Sequence, residues 1–368
     1  MKNLNKIITL SGAFLAFLIG SGVATGQELM QYYTPYGFKV VGTAITIAVI
    51  LIVANFGFAY AGKKGNITKG SDVFEYYCGP IAGKAFDIFT VFFCYMSYVV
   101  MVSGAASTLE QQYSFPLIVG AVLIVVLVGV TVAFGLNSIV EVIGKIGPTL
   151  VALIFIMAFI SLIMNAGNIP TNIESINNGT LQVTKAGANW FLSGLSNGGF
   201  CLLWLAGYTA ALGMKEDFET LMKANVISSI VLVISNMVIG FAILAKLDLV
   251  HSLQIPNLYL ATEIWPPLAY IFGILIFAAI YTTACPLLWT ASARFAKEGT
   301  QKFRVITVNL AVIGLIIALF VPFNKLMNYI YVINGYLGFI VLAIMVIRMV
   351  PMLSKDKKDS IIKESTRD

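Results

Sequence analysis

The sequence predicts an all-α polytopic membrane protein of about ten spanning helices. They are expected to form two five-helix units of opposite orientation, a 5+5 inverted repeat with discontinuous helices 1 and 6. Three observations predict this. Of 368 residues, 59% are hydrophobic and only 11% are charged, a composition outside the range of soluble domains. A bilayer-spanning helix needs about 20 mostly apolar residues, and ten such stretches occur, near 7–32, 37–61, 83–109, 116–134, 138–165, 187–212, 222–246, 262–292, 303–321 and 324–350. Finally, the first and sixth stretches are both interrupted by glycines and polar residues.

The first stretch follows Lys2 and Lys6 and superficially resembles a signal peptide. Apolar character resumes directly after "GVATGQ" and nine more spans follow, so it reads as an uncleaved first helix. Lys and Arg in the connections set the orientation. Nineteen of the twenty-three fall on the side of the N terminus, and only Lys39, Lys185, Lys246 and Lys325 fall on the other. Both termini are therefore expected in the cytoplasm, in a multi-pass protein of the plasma membrane. The net charge of +6 follows from this topology and from anionic headgroups, and no basic stretch carries the interleaved aromatics of a nucleic-acid reader. The partners expected are the lipid bilayer and a small-molecule substrate; oligomeric state is not legible. Cys78, Cys94, Cys201 and Cys285 are scattered without a CxxC and read as packing residues.

The halves resemble each other. "FGLNSIVEVIGKIGPTLVALIFIMAF" from Phe134 and "FVPFNKLMNYIYVINGYLGFIVLAIM" from Phe320 both place Asn after Phe, then Gly, then an aliphatic run. Units 1–166 and 187–350 follow, separated by a loop at 167–186 and ending in a polar tail at 351–368. Because five is odd, the second unit must be inverted.

The first span reads "LIGSGVATGQELMQYY" over 18–33. In hydrocarbon a helix is broken only where it lines a cavity or is buried in protein, because an unpaired backbone group costs several kcal/mol. Gly20, Gly22 and Gly26 permit such a break. A half-helix starting near Thr25 presents N–H groups suited to a carboxylate, and one ending near Gly20–Val23 presents carbonyls suited to a cation. "LSGLSNGGFCLLW" at 192–204 is its counterpart, and paired breaks of this kind point to a transporter's binding site. The competing reading of the same glycines is close helix packing. The candidate substrate-binding residues are Ser21, Gly22, Thr25, Gly26, Gln27 and Glu28, with Ser196, Asn197, Gly198, Gly199 and Phe200. Tyr95 and Tyr98 in "FFCYMSYVVM" are added as possible carboxylate ligands, and Trp204 beyond the sixth-helix break as a pocket cap.

Glu28 is the most informative ionisable residue, since intramembrane acids face a bundle interior or a hydrated path. It serves as proton carrier, as partner of a substrate amine, or as a stabilising charge on the half-helix. Asp87 and Glu110 lie near helix ends, where interfacial solvation accounts for them. His251, the sole histidine, excludes a His-cluster metal site. Lys145 stands four residues after Glu141, the spacing of a helical ion pair.

"GSGVATGQELMQYY", "MVSGAASTLEQQYSFP" at 101–116 and "YTTACPLLWTASAR" at 281–294 resemble the YkvI-type bacterial membrane proteins. Through them the chain resembles the amino acid, polyamine and organocation (APC) transporter superfamily with the LeuT-type fold. That resemblance implies a possible sodium site formed by the carbonyls of Gly20, Val23 and Ala279 with the side chains of Thr282 and Thr283. Its rival is the back-bonding of membrane threonines to their own preceding turn, and Lys145 is a second rival. No cofactor is implied beyond Na+ or H+ as coupling ion. With no Walker A motif and no catalytic constellation, an enzyme is not expected. The expected function is secondary active transport of a small organic solute, an amino acid or related amine, by alternating access. The alternative is a ligand-sensing, germinant-receptor-like membrane protein on the same fold.

Overall fold

The computed structural model describes residues 2–68, 70–134 and 140–365. The chain opens with α1 (Lys2–Leu18), which stops at Ile19–Gly20; α2 (Ser21–Thr25) and α3 (Gln27–Tyr32) complete the first crossing. A 3-10 turn over Thr34–Lys39 leads into α4 (Val40–Lys64), followed by α5 (Val73–Tyr113), α6 (Leu117–Phe134) and α7 (Val140–Asn165). The short α8 (Ile169–Asn177) lies in the central connection. The second set comprises α9 (Trp190–Lys215) and α10 (Phe218–Ala245), a loop carrying α11 (Leu247–Val250) and α12 (Pro256–Ile264), then α13 (Pro266–Ala293), α14 (Gln301–Phe320) and α15 (Phe323–Ser365). Short connections make the crossings alternate. We call the face bearing the start of α1 the near face and the other the far face.

Helix starts are set by local chemistry at the membrane boundary. Asn189 Oδ1 accepts from Leu192 N, Asp217 Oδ2 from Thr220 N and Thr300 Oγ1 from Phe303 N, each satisfying an orphan amide. Pro occupies the first turn of α8, α12 and α13, where its missing N–H costs nothing. Eight helical segments are long and apolar enough to cross a bilayer among the described residues. The two crossings that fall short, α1–α3 and α9, are the interrupted stretches of the sequence. Large apolar side chains of α6, α10 and α14 are exposed in rows, for instance Val119, Val126 and Val130 on α6 and Val305, Val308 and Ile316 on α14. In a spanning protein such rows face acyl chains.

Helix contacts come in pairs that exchange the two halves. α4 packs on α9 as α10 packs on α1; α9 on α15 as α1 on α7; α5 on α15 as α13 on α7. The contacts α5–α13 and α6–α14 map onto themselves. This is the pairing pattern of an inverted repeat.

The structure departs from the sequence reading at several points. The sixth crossing is not discontinuous: α9 runs unbroken through the glycine-rich segment. Its glycines are contact points instead, as a Cβ would show: at Gly194 it would stand 2.8 Å from Thr46 of α4, at Gly198 2.8 Å from Ile50 of α4, and at Gly199 1.9 Å from the Gly335 carbonyl of α15. Close packing is what these small residues provide here. α5 begins ten residues earlier than expected and turns at Gly79, φ +79°, ahead of Pro80. The segment expected as a polar tail continues α15 to Ser365. Asp87 is not merely solvated, since Arg294 Nη1 meets its carboxylate at 3.0 Å. The Glu141–Lys145 pairing rests on side chains that lie outside those described.

Candidate functional site

The break in the first crossing sits where α5, α9, α12, α13 and α15 converge, and every residue from Leu18 to Pro35 is buried. Gly20 is enclosed by Met101 of α5, Thr283 of α13 and Trp204 of α9. The chain turns a second time at Gly26, in the left-handed region at φ +85°. Several of the amides and carbonyls freed by these turns are satisfied by the protein itself. Thr25 Oγ1 accepts from Gln27 N and donates to the Gly22 carbonyl. Asn257, the second residue of α12, donates through Nδ2 to the carbonyls of Val23 and Ala24 at 3.1 and 3.0 Å.

Asn257 belongs to a set of amide side chains that ties the α11–α12 loop to the bundle at the far face. Gln111 of α5 exchanges two hydrogen bonds with the backbone of Ile255. Gln254 accepts from Asn324 N, Gln31 Nε2 donates to the Asn324 carbonyl, and Asn328 donates to Gln31 Oε1. With its amide oriented to satisfy its surroundings, Gln27 donates to the carbonyls of Leu253 and Gln254. Gln27 therefore holds the loop. Sequence reasoning missed Gln111, Gln254 and Asn257; the cue was "SLQIPNLY", amides beside a proline between two spans.

Glu28 lies on the other side of the break, 4% exposed. Asn197 Nδ2 of α9 donates to its Oε1 at 2.9 Å, joining the two crossings that the sequence singled out. Oε2 has no hydrogen-bond donor among the described residues; it lies against Gly22, where a Cβ would come within 2.3 Å of it. Four buried hydroxyls share this region: Ser21, Tyr32, Ser196 and Tyr331. Tyr32 and Tyr331 lie within electrostatic range of Glu28, the first toward Ser196 and the second toward Ser21. Next to them the rings of Phe93, Phe200, Trp204 and Tyr331 pack together, Phe200 to Tyr331 at 4.6 Å and Phe93 stacked on Trp204 at 5.7 Å. Tyr32 joins through Phe200 at 5.8 Å.

The candidate residues thus divide. Ser21, Gly22, Glu28, Ser196, Asn197 and Phe200 come together in one cluster. Thr25, Gly26 and Gln27 serve the break and the loop, and Gly198 and Gly199 serve helix packing. Tyr95 and Tyr98 do not face this cluster: Tyr95 Oη donates to the Leu310 carbonyl of α14 and Tyr98 lies against Gly314 of α14. Helical rotation explains it, since Phe93 and Met101 occupy the inward face of α5 and Tyr95 and Tyr98 stand off it. Sequence reasoning also missed Phe93, Tyr32 and Tyr331, aromatic residues with no polar neighbour in sequence to mark them.

Of the possible sodium ligands, Gly20 lies against the methyl of Thr283. Thr282 and Thr283 both donate to the Ala279 carbonyl, at 2.8 and 3.2 Å. This leaves their oxygen lone pairs free but fills the carbonyl. Val23 accepts from both Gly26 N and Asn257, and Gly20 from Ala24 N alone. Open acceptor capacity is therefore confined to Gly20 and the two hydroxyls. A separate cleft of about 370 Å3 opens at the far face between the 3-10 turn, α8 and the start of α9, lined by Tyr36, Lys39, Ile173 and Trp190. It contains none of the cluster residues.

No family model matches the chain. Two proteins of Bacillus subtilis (strain 168) are similar in sequence. The uncharacterized membrane protein YkvI is 20% identical over 336 residues, covering 89% of this chain and 92% of YkvI. The uncharacterized protein YyaD is 28% identical over 139 residues, covering 38% of this chain and only 40% of YyaD. Among solved structures, MhsT in complex with L-phenylalanine matches with a TM-score of 0.63 at 15% identity, over 93% of this chain and 88% of MhsT. The inward-facing conformation of Mhp1 matches with a TM-score of 0.58 at 14% identity, over 92% and 75%. The chain is an all-α, multi-pass membrane protein with the LeuT-type fold of these structures.

Proposed function

We propose that this protein is a secondary transporter of a small organic solute, of the amino acid and amine class, driven by a sodium or proton gradient, with both termini in the cytoplasm. The observation that carries the reading is the first crossing: broken twice, buried throughout from Leu18 to Pro35, and carrying a carboxylate that bonds the sixth crossing. A buried break beside an intramembrane acid is costly in a bilayer, and such acids characteristically face a bundle interior or a transport path. The likeness to MhsT, bound to L-phenylalanine, supports the solute class. The test is counterflow in proteoliposomes loaded with a mixed pool of amino acids and amines, read by mass spectrometry under imposed sodium and pH gradients. Accumulation of a solute that tracks one gradient supports transport. A solute that raises the melting temperature of the purified protein but crosses under no gradient establishes the ligand-sensing alternative instead.

A further inference from the structure

Resting on that reading, we propose that the site binds an organic amine lacking a carboxylate of its own, with the ammonium held at Glu28 and the apolar body against the aromatic cluster. The chemistry around Glu28 is that of a cation receptor. Beyond the Asn197 bond at Oε1, its Oε2 has no donor among the described residues, no Lys or Arg pairs with it there, and four buried hydroxyls stand in the same region. A buried polar group without a partner is costly, and buried charges are normally paired. An ammonium carries three donors and one positive charge, which answers the carboxylate and gives the phenol oxygens of Tyr32 and Tyr331 something to accept.

A substrate carboxylate finds no such welcome. It would meet Glu28 as a like charge, and of the backbone donors next to the break Gln27 N–H is already taken by Thr25. The rings of Phe93, Phe200, Trp204 and Tyr331 present π faces within a few ångströms of one another, and such faces attract organic cations as well as apolar surface.

The experiment uses purified full-length protein and two matched series: phenethylamine, L-phenylalanine and 3-phenylpropanoate, then n-pentylamine, L-norleucine and hexanoate. Binding is measured by titration calorimetry in wild type, Glu28→Gln and Tyr331→Phe. Glu28→Gln keeps an acceptor for Asn197, and Tyr331→Phe keeps the ring, so melting temperature without ligand serves as the folding control. The expected result is that an amine binds in preference to its zwitterion and acid. Glu28→Gln then weakens it by roughly tenfold to a hundredfold, the worth of a charge-assisted hydrogen bond, and Tyr331→Phe weakens it less. Tighter binding of a zwitterion or an acid overturns the inference. So does binding by none of the six, or amine affinity unchanged in folded Glu28→Gln. Amine binding that depends on Glu28, without uptake into proteoliposomes under either gradient, leaves the inference standing and removes transport.

Discussion

Replacing Gly26 with alanine tests the link between the broken helix and the α11–α12 loop. Two costs add at this position. An alanine at φ +85° carries a left-handed penalty of about 1–2 kcal/mol. Its Cβ would also stand 2.5 Å from Asn257 Oδ1 and 2.9 Å from its Cγ, closer than atoms tolerate, so the amide must leave the Val23 and Ala24 carbonyls. Two hydrogen bonds are lost with it, at about 0.5–1.5 kcal/mol each. The sum is about 2–5 kcal/mol. Asn257→Ala alone loses the bonds without the strain, about 1–3 kcal/mol, since Val23 keeps the Gly26 N–H. In that background Gly26→Ala meets no amide and should cost only the left-handed term. Unfolding by SDS in mixed micelles for the four proteins gives the cycle, with an expected coupling of about 1–3 kcal/mol. Additivity within about 0.5 kcal/mol would show that the glycine is not there to admit Asn257.

Three further outcomes follow from the same geometry. Thr282→Val with Thr283→Ala removes two of the three oxygens that still have acceptor capacity beside Gly20, so any sodium dependence of solute binding should disappear while the fold persists; retained sodium dependence refutes a site there. Gly199→Leu places a side chain into the Gly335 carbonyl of α15 and should abolish the monodisperse protein in size-exclusion chromatography, whereas Gly167→Ala, with nothing within 4 Å, should leave it intact. At the near face, Thr220 N–H and its hydroxyl hold the Asp217 carboxyl below its ordinary value; a depressed value means that the capping contribution is present above the unfolded value and fades as pH falls through the folded one. The stability gap between wild type and Asp217→Ala should therefore be constant at neutral pH and close in strong acid.

The spans were legible because hydrophobic length is a one-dimensional property, and the first break because glycines and a glutamate stand together in an apolar run. The sixth crossing looked the same in sequence and folded differently. Glycine licenses both unwinding and close approach, and only the neighbours decide between them: Gly194, Gly198 and Gly199 meet α4 and α15 at contact distance, while Gly26 meets a loop amide. Such neighbours are far away in the chain, Gly335 by more than a hundred residues. For the same reason Tyr95 and Tyr98 were misjudged: a helix buried on several sides gives no periodic polar face from which to read its inward direction. The Glu28–Asn197 contact was half legible, since each residue stood out alone as a polar group inside an apolar span.

The different fates of the two glycine-rich crossings make the first the mechanically weaker of a symmetric pair. α9 is fixed along its length to α4 and α15 by contacts in which one added carbon would collide with backbone or a branched side chain. α1 is separated from the rest of its crossing at Ile19–Gly20. Near the membrane boundary it is fastened by Lys6 to Glu216 at the end of α9, with the lysine half exposed. An exposed ion pair contributes about 0–1 kcal/mol. At the far face, by contrast, the loop is held by Gln27, Gln31, Gln111, Gln254 and Asn257 through bonds that are mostly shielded from water, where each unmade partner costs about 1–3 kcal/mol. Opening toward the near face breaks that ion pair, the buried bond from the Ser11 hydroxyl to the Ala224 carbonyl of α10 and the ring contacts of Phe14 and Phe17 with Tyr208 of α9, and it turns a helix about a joint that already exists. Opening toward the far face must break the amide set together.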